Sequence, residues 1–258
     1  MRIGIGLSLT RPSGGAGAWS PADLPGLAPT VQVVRSLAAG GLWQNAAKTT
    51  PCAADGDPCR VAVCPDTAGE YAAPSDGARG LLWDEGAGAW SLALDGVSNY
   101  YATPAATDGC VAWGFAWLNS TALESGFWIV VSPLNGLEFG LFASDSGYRN
   151  VSLMMGGAGA SVGFDSAAVL AADAWNVLVV SYQGGGVSTP GNYRAWLNGV
   201  EQTVVASGMF GGGAVGTLGS RGGSYPAPIR IAGFVPSSAA LSAAQAAAMS
   251  DYLTALTP

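Results

Sequence analysis

Chemistry needs side chains that titrate, coordinate or attack, and this chain is sparing with them. Its 258 residues include no histidine. That removes the commonest general base and the commonest zinc ligand, and it excludes Ser-His-Asp and Cys-His nucleophilic schemes. Five glutamates are present, Glu70, Glu85, Glu124, Glu138 and Glu201, each far from the next. Asp84 and Glu85 are adjacent, so a strand points them to opposite faces. No local carboxylate pair of the kind used in glycoside hydrolysis stands out, and the expectation is a chain that is not an enzyme. The densest oxygen cluster is Asp55-Gly56-Asp57, whose carboxylates are hard ligands suited to Ca2+ on a flexible loop, with Asp95 and Asp145 as further candidates. Asp-Gly pairs also serve as plain turn residues, and both readings stand.

Four cysteines, Cys52, Cys59, Cys64 and Cys110, do not match the spacing of zinc pairs. They are candidates for disulfides, with three connectivities open if all pair, or for four free, partly buried thiols. Disulfides would imply an oxidising exterior.

The other recognition chemistry is aromatic. Nine Trp and eight Tyr invite sugar stacking, but Trp113 and Trp117 share a strand face with Phe115 and read as core. Trp196 and Trp128 are less determined, and Tyr100-Tyr101 places one ring on each face. Trp19, in a Gly/Ala/Ser/Pro stretch with few apolar neighbours, is the expected interface anchor. Net charge is −7 with a single lysine, so no basic stripe offers a nucleic-acid surface. Mean hydropathy is +0.32, yet no apolar run reaches the ~18–20 residues of a membrane span.

These groups must be carried mainly by strands. Ile3, Ile5, Leu7 and Leu9 alternate with small polar residues near the N-terminus, which gives a strand one apolar face for a partner. Residues 1–28 read as an arm and 29–258 as one domain. That apolar start is short, Gly-interrupted and closed by Arg11, unlike a secretory signal, so synthesis in a cytoplasm is expected. Thr30–Ala39 has weak helical spacing. Short apolar segments recur about every ten residues from Val111 to Phe164, the spacing of an all-β sandwich. Asn198-Gly199 between two alternating runs predicts a type I′ hairpin. Ala239–Leu256 predicts a helix, with Ser242 and Gln245 as a capping box and Met249, Tyr252, Leu253 and Leu256 as the packing face.

The strand Trp175–Tyr182, the Gly-rich loop and the Asn-Gly hairpin resemble the back sheet of concanavalin A-like and laminin G-like sandwiches. Leu42–Pro58 resembles the entry segment of bacteriophage virion proteins of that class, matching at Thr49, Thr50, Pro51, Asp55, Gly56, Asp57 and Pro58, with Leu94–Tyr100 matching a second element. The family's valines are Cys52 and Cys59 here, and its Arg-Pro is Arg79-Gly80. The resemblance implies a concanavalin A-like jelly-roll β-sandwich of two antiparallel sheets, with an extended N-terminal arm and a short C-terminal helix. The E-x-D-x-x-E pattern of the family's hydrolases is absent.

The function this resemblance implies is a virion structural protein, a capsid decoration, fibre or tail component. It would attach through its arm to other virion proteins or copies of itself. The alternative is a carbohydrate-binding module for host or environmental glycans.

Overall fold

The computed structural model describes residues 19–107, 109–119, 128–134, 137–143, 151–156, 161–164, 173–186, 189–207, 216–220, 223–224 and 226–258. Ile3, Ile5, Leu7, Leu9 and Asp145 lie outside the described residues.

The fold is an all-β sandwich of two antiparallel sheets. The larger runs Val200–Gln202, Tyr193–Leu197, Trp175–Tyr182, Ala112–Asn119, Ile229–Ser237, Ala89–Ala93, Gly80–Gly86 and Pro58–Cys59. Val31–Gln32 completes its nine strands by pairing beside Phe234 and Gly233. The smaller sheet runs Val151–Gly156, Leu137–Ala143, Trp128–Leu134, Thr217–Leu218, Tyr101–Ala102, Glu70–Ala72, Val61–Val63 and Leu42–Trp43. Ser161–Phe164 pairs with Val204–Ser207 in a separate ribbon.

One strand explains the layering. In Ala112–Asn119, large and small residues alternate, and a strand sends alternate side chains to opposite faces. Trp113, Phe115 and Trp117 are fully buried between the sheets, with Phe115 and Trp117 stacked at 5.4 Å. Leu82, Leu92, Leu178, Ile229, Ile231 and Phe234 from the larger sheet join Leu42, Tyr71, Tyr101 and Leu218 from the smaller in the same core. The small residues Ala112, Gly114 and Ala116 face outward, where the C-terminal helix Ala243–Thr254 lies over them. Met249 and Leu253, both fully buried, seal this third layer with Val177, Val179, Trp196 and Val235.

The helix begins where the capping box places it. Gln245 donates its backbone N–H to Ser242 Oγ, and Ser242 N–H donates to Gln245 Oε1. The Asn-Gly hairpin also forms as expected: Asn198 and Gly199 have φ of 50° and 79°, the left-handed pair that a type I′ turn needs. Within Thr30–Ala39, only Val33–Ala38 is helical, because Val31 and Gln32 are recruited into the larger sheet.

Residues 19–28, expected as part of an arm, pack on the sandwich. Trp19 meets Tyr252 edge to face at 5.4 Å, Leu24 is buried in the helical layer, and Ala28 N–H donates to Pro236 O. Trp19 therefore has an intramolecular partner. Among the described residues, no helix is long and apolar enough to cross a membrane.

Candidate functional site

The helix covers only part of the outer face of the larger sheet. Beyond its reach, the outward row of Ala112, Gly114 and Ala116 ends in Leu118, and the next strands present Arg230, Ala93, Leu81 and Trp83. Leu81 and Trp83 are 40% and 39% exposed, unusual for large apolar side chains on a strand. Trp83, Ala93, Leu94, Leu118, Pro228, Ile229 and Arg230 line a shallow, mainly apolar concavity of about 120 Å³.

Polar groups fix this surface. Arg230 interrupts the apolar run of Ile229 and Ile231, whose side chains point into the core, so its own side chain emerges outward. Its guanidinium carbon sits 5.0 Å from the centre of the Trp83 ring, a cation–π contact. Its Nη1 donates to Glu85 Oε2 at 2.8 Å, and Ser91 Oγ donates to Glu85 Oε1 at 2.5 Å. The Glu85 carboxylate is 8% exposed against 33% for Arg230, so the ion pair is half sheltered. A break in register between Asp84 and Gly86 permits this arrangement. Bulges commonly re-aim a side chain in this way.

A loop braces the strand from the edge. Gly56 N–H donates to Leu82 O, Leu82 N–H to Asp57 O, and Asp84 N–H to Asp55 Oδ1. Asp57 Oδ2 accepts from Ala53 and Ala54 N–H, which holds its carboxyl below the usual carboxylate range. Asp55 and Asp57 thus act here as turn and bracing residues. Among the described residues, no three acidic, Cys or His side chains cluster in a way that would hold a metal ion. Asp95 closes a second turn, accepting from Val97, Ser98 and Asn99 N–H.

No disulfide joins the four cysteines, which corrects the disulfide reading. Cys52, Cys59 and Cys64 pack in the inter-sheet core, and Cys110 is fully buried. Each behaves as a small hydrophobe with a weak donor. Cys52 Sγ points to Pro58 O at 3.6 Å and Cys59 Sγ to Val61 O at 3.5 Å. Burial pushes the Cys64 thiol up to about 12.

The expected core aromatics Trp113 and Trp117 are core, and Trp196, at 5% exposure, seals the helical layer. The side chain of Trp128 lies outside the described ones. The Trp83 site was not singled out in the sequence. Its available signals were an arginine between two core isoleucines and a tryptophan in a strand whose neighbour Leu82 fills the core.

No protein-family model matches the chain, and no curated protein sequence matches it. Its shape is similar to solved structures of Trypanosoma rangeli sialidase. A complex with 2,3-difluoro-KDN aligns at TM-score 0.57 and 10% identity over 99% of this chain and 36% of that one. The complex with sialic acid aligns at 0.55 and 12%, over 94% and 35%. The complex with the inhibitor DANA aligns at 0.54 and 12%, over 80% and 32%. The chain thus spans about a third of the length of these proteins, and at such identities the likeness shows the fold alone. The solved structures that it resembles are nevertheless enzymes, which corrects the expectation of a chain that is not one.

Proposed function

We propose that this sandwich is a glycan-recognition module whose ligand lies on the free half of the larger sheet, against Trp83. The observation that carries the reading is the partly exposed Trp83 ring held on a rigid strand by the Arg230–Glu85 pair beside an apolar concavity. Pyranose rings present C–H faces that pack on aromatic rings, while their hydroxyls need fixed donors and acceptors at the rim. The partly exposed Arg230 guanidinium supplies donors there, and the buried Glu85 carboxylate and Ser91 hydroxyl hold it already oriented, which lowers the ordering cost of binding. The similarity to sialidase structures solved with sialic acid supports the choice of ligand class.

The test is a glycan array probed with the whole chain, followed by titration of any hit against Trp83→Ala. The expected result is binding that weakens tenfold or more, roughly the loss from one anchoring aromatic, with the melting temperature nearly unchanged. Equal binding by the variant would remove Trp83 from the site, and no hit on the array would remove the reading. Release of free sugar, followed in the same titration, reports any turnover.

A second reading, a bacteriophage virion component, rests on the sequence resemblance of Leu42–Pro58. In the structure, the residues of that match build turns: Asn45 Oδ1 accepts from Thr49 N–H, and Asp55 and Asp57 brace the Trp83 strand. The two readings are compatible, since a virion protein can display a glycan-binding sandwich. Assembly through residues 1–18 would be read as an oligomer that becomes monomeric when those residues are removed.

A further inference from the structure

Five of the described cations form ion pairs with a carboxylate: Arg35 with Asp66, Lys48 with Glu70, Arg60 with Asp76, Arg194 with Glu201 and Arg230 with Glu85. Arg79 has no such partner among the described residues. Its guanidinium is instead tied to two carbonyls, Nε donating to Asp76 O at 2.7 Å and Nη1 to Gln44 O at 3.0 Å. The weakest of the five pairs is its neighbour. Arg60 Nε stands 3.4 Å from Asp76 Oδ1, and that buried Nε makes no hydrogen bond. Asp76 itself is 70% exposed, so its carboxylate shields little, while Arg60 is only 14% exposed.

Both arginines therefore lean on the same residue, Asp76, one on its carboxylate and one on its carbonyl. Two guanidinium groups thus meet at Asp76, whose solvated carboxylate pairs with Arg60 alone, which leaves a local surplus of positive charge in a protein of net charge −7. The arrangement is rigid. Arg60 sits where the chain crosses from Pro58–Cys59 in the larger sheet to Val61–Val63 in the smaller, its N–H bonded to Trp43 O and its C=O to Ala73 N–H. The two carbonyls fix the Arg79 fork and leave its Nη2 without a partner among the described residues. A guanidinium fork matches the planar oxygens of a carboxylate and the spacing of sulfate oxygens, and a pre-ordered fork loses little entropy on binding.

We propose that Arg60 and Arg79 form an oxyanion subsite that takes a carboxylate or sulfate group, with Asp76 as its internal competitor. This site is separate from the Trp83 surface and does not depend on the glycan reading. The ligand group spans the free Nη edges of the two guanidinium groups and displaces the Asp76 side chain toward solvent.

The experiment follows the arginine Nε–H signals of the full-length, 15N-labelled protein by NMR. Acetate, glucuronate and inorganic sulfate are titrated in turn at constant ionic strength. Saturating shifts of the same two signals, lost in Arg79→Gln, are expected, with dissociation constants below the order of 50 mM. Equal affinity for acetate and glucuronate supports a site for the bare group. Tighter glucuronate supports one for an acidic sugar. Shifts that never saturate with any of the three overturn the subsite. Asp76→Asn separates binding from folding, because this exposed change removes only the competitor. It is expected to tighten binding about two- to fivefold, the range of an exposed ion pair. Unchanged or weaker binding in Asp76→Asn overturns the proposal even if Arg79→Gln fails to fold.

Discussion

Gly114 lies directly beneath Met249. A Cβ built on Gly114 would come within 2.6 Å of Leu253 Cδ1 and closer still to Met249 Sδ. The absence of a side chain there sets how near the C-terminal helix approaches the sheet. Gly114→Val is expected to lift the helix or strain its contacts, at roughly 1–3 kcal/mol. Thermal unfolding measures the loss, and faster amide exchange in 243–254 than in 112–119 would place it. Unchanged stability would show that the helix is not held by this close approach.

Glu85 ties Ser91 and Arg230 together on the binding face. Glu85→Ala leaves a half-sheltered guanidinium without its carboxylate. It is expected to destabilise by about 1–3 kcal/mol, the cost of stranding a partly buried polar group. It should also free Arg230 from its place over Trp83. Tryptophan fluorescence is the check: a shift in emission without unfolding would report the change in ring environment.

Acid sensitivity is expected at Asp95. Partial burial raises its pKa, but the N–H groups of Ser98, Val97 and Asn99 more than offset this, and its carboxyl titrates below the usual range. A depressed folded-state pKa contributes stability above the unfolded value, near 3.8–3.9, and that contribution fades as pH falls through the lower folded value. Asp95→Asn should therefore melt a few degrees lower than the parent at pH 7. The gap should narrow below about pH 4. A gap independent of pH would mean that the turn does not depend on the charge.

The position of a safe N-terminal truncation follows from Trp19 and Leu24. Removing residues 1–18 is expected to leave thermal stability unchanged, because Trp19–Tyr252 and the buried Leu24 survive. Removing 1–28 uncovers Tyr252 and deletes Leu24, and should cost about 2–5 kcal/mol, the scale of one lost core leucine. Equal melting of the two truncations would show that residues 19–28 contribute nothing.

The thiols give a compact test of the core. Native protein should react slowly with a thiol reagent such as Ellman's, and unfolded protein should yield four equivalents, one per cysteine. Fast modification in the native state would mean that the sheets open readily around Cys52 and Cys64. Fewer than four equivalents after unfolding would mean that some are paired.

The fold was legible where one local pattern had one solution. The Asn198-Gly199 turn, the Ser242–Gln245 cap and the alternation of Trp113, Phe115 and Trp117 each depend on residues a few positions apart. The surface around Trp83 was not, because its partners are distant: Glu85 and Arg230 are 145 positions apart and meet only once the sheet has formed. The bulge at Glu85 also breaks the alternation by which its direction would be inferred. Asp55 and Asp57 show the opposite failure. Their spacing suited a cation, and the backbone N–H groups of Ala53, Ala54 and Asp84 took their oxygens instead.

The strand Ile229–Ser237 sits in the middle of the larger sheet, with Ala112–Asn119 on one edge and Ala89–Ala93 and Val31–Gln32, each paired to it separately, on the other. On the ribosome, those flanking strands emerge long before the strand that joins them. Until residues 229–237 have been made they present raw backbone edges to the surroundings, the kind that templates aggregation. The sheet closes like a zip whose slider is made after both rows of teeth. A chain stopped short of residue 229 would be left as two half-sheets without a seam, and a ribosome pausing there would hold the nascent protein in its most vulnerable state.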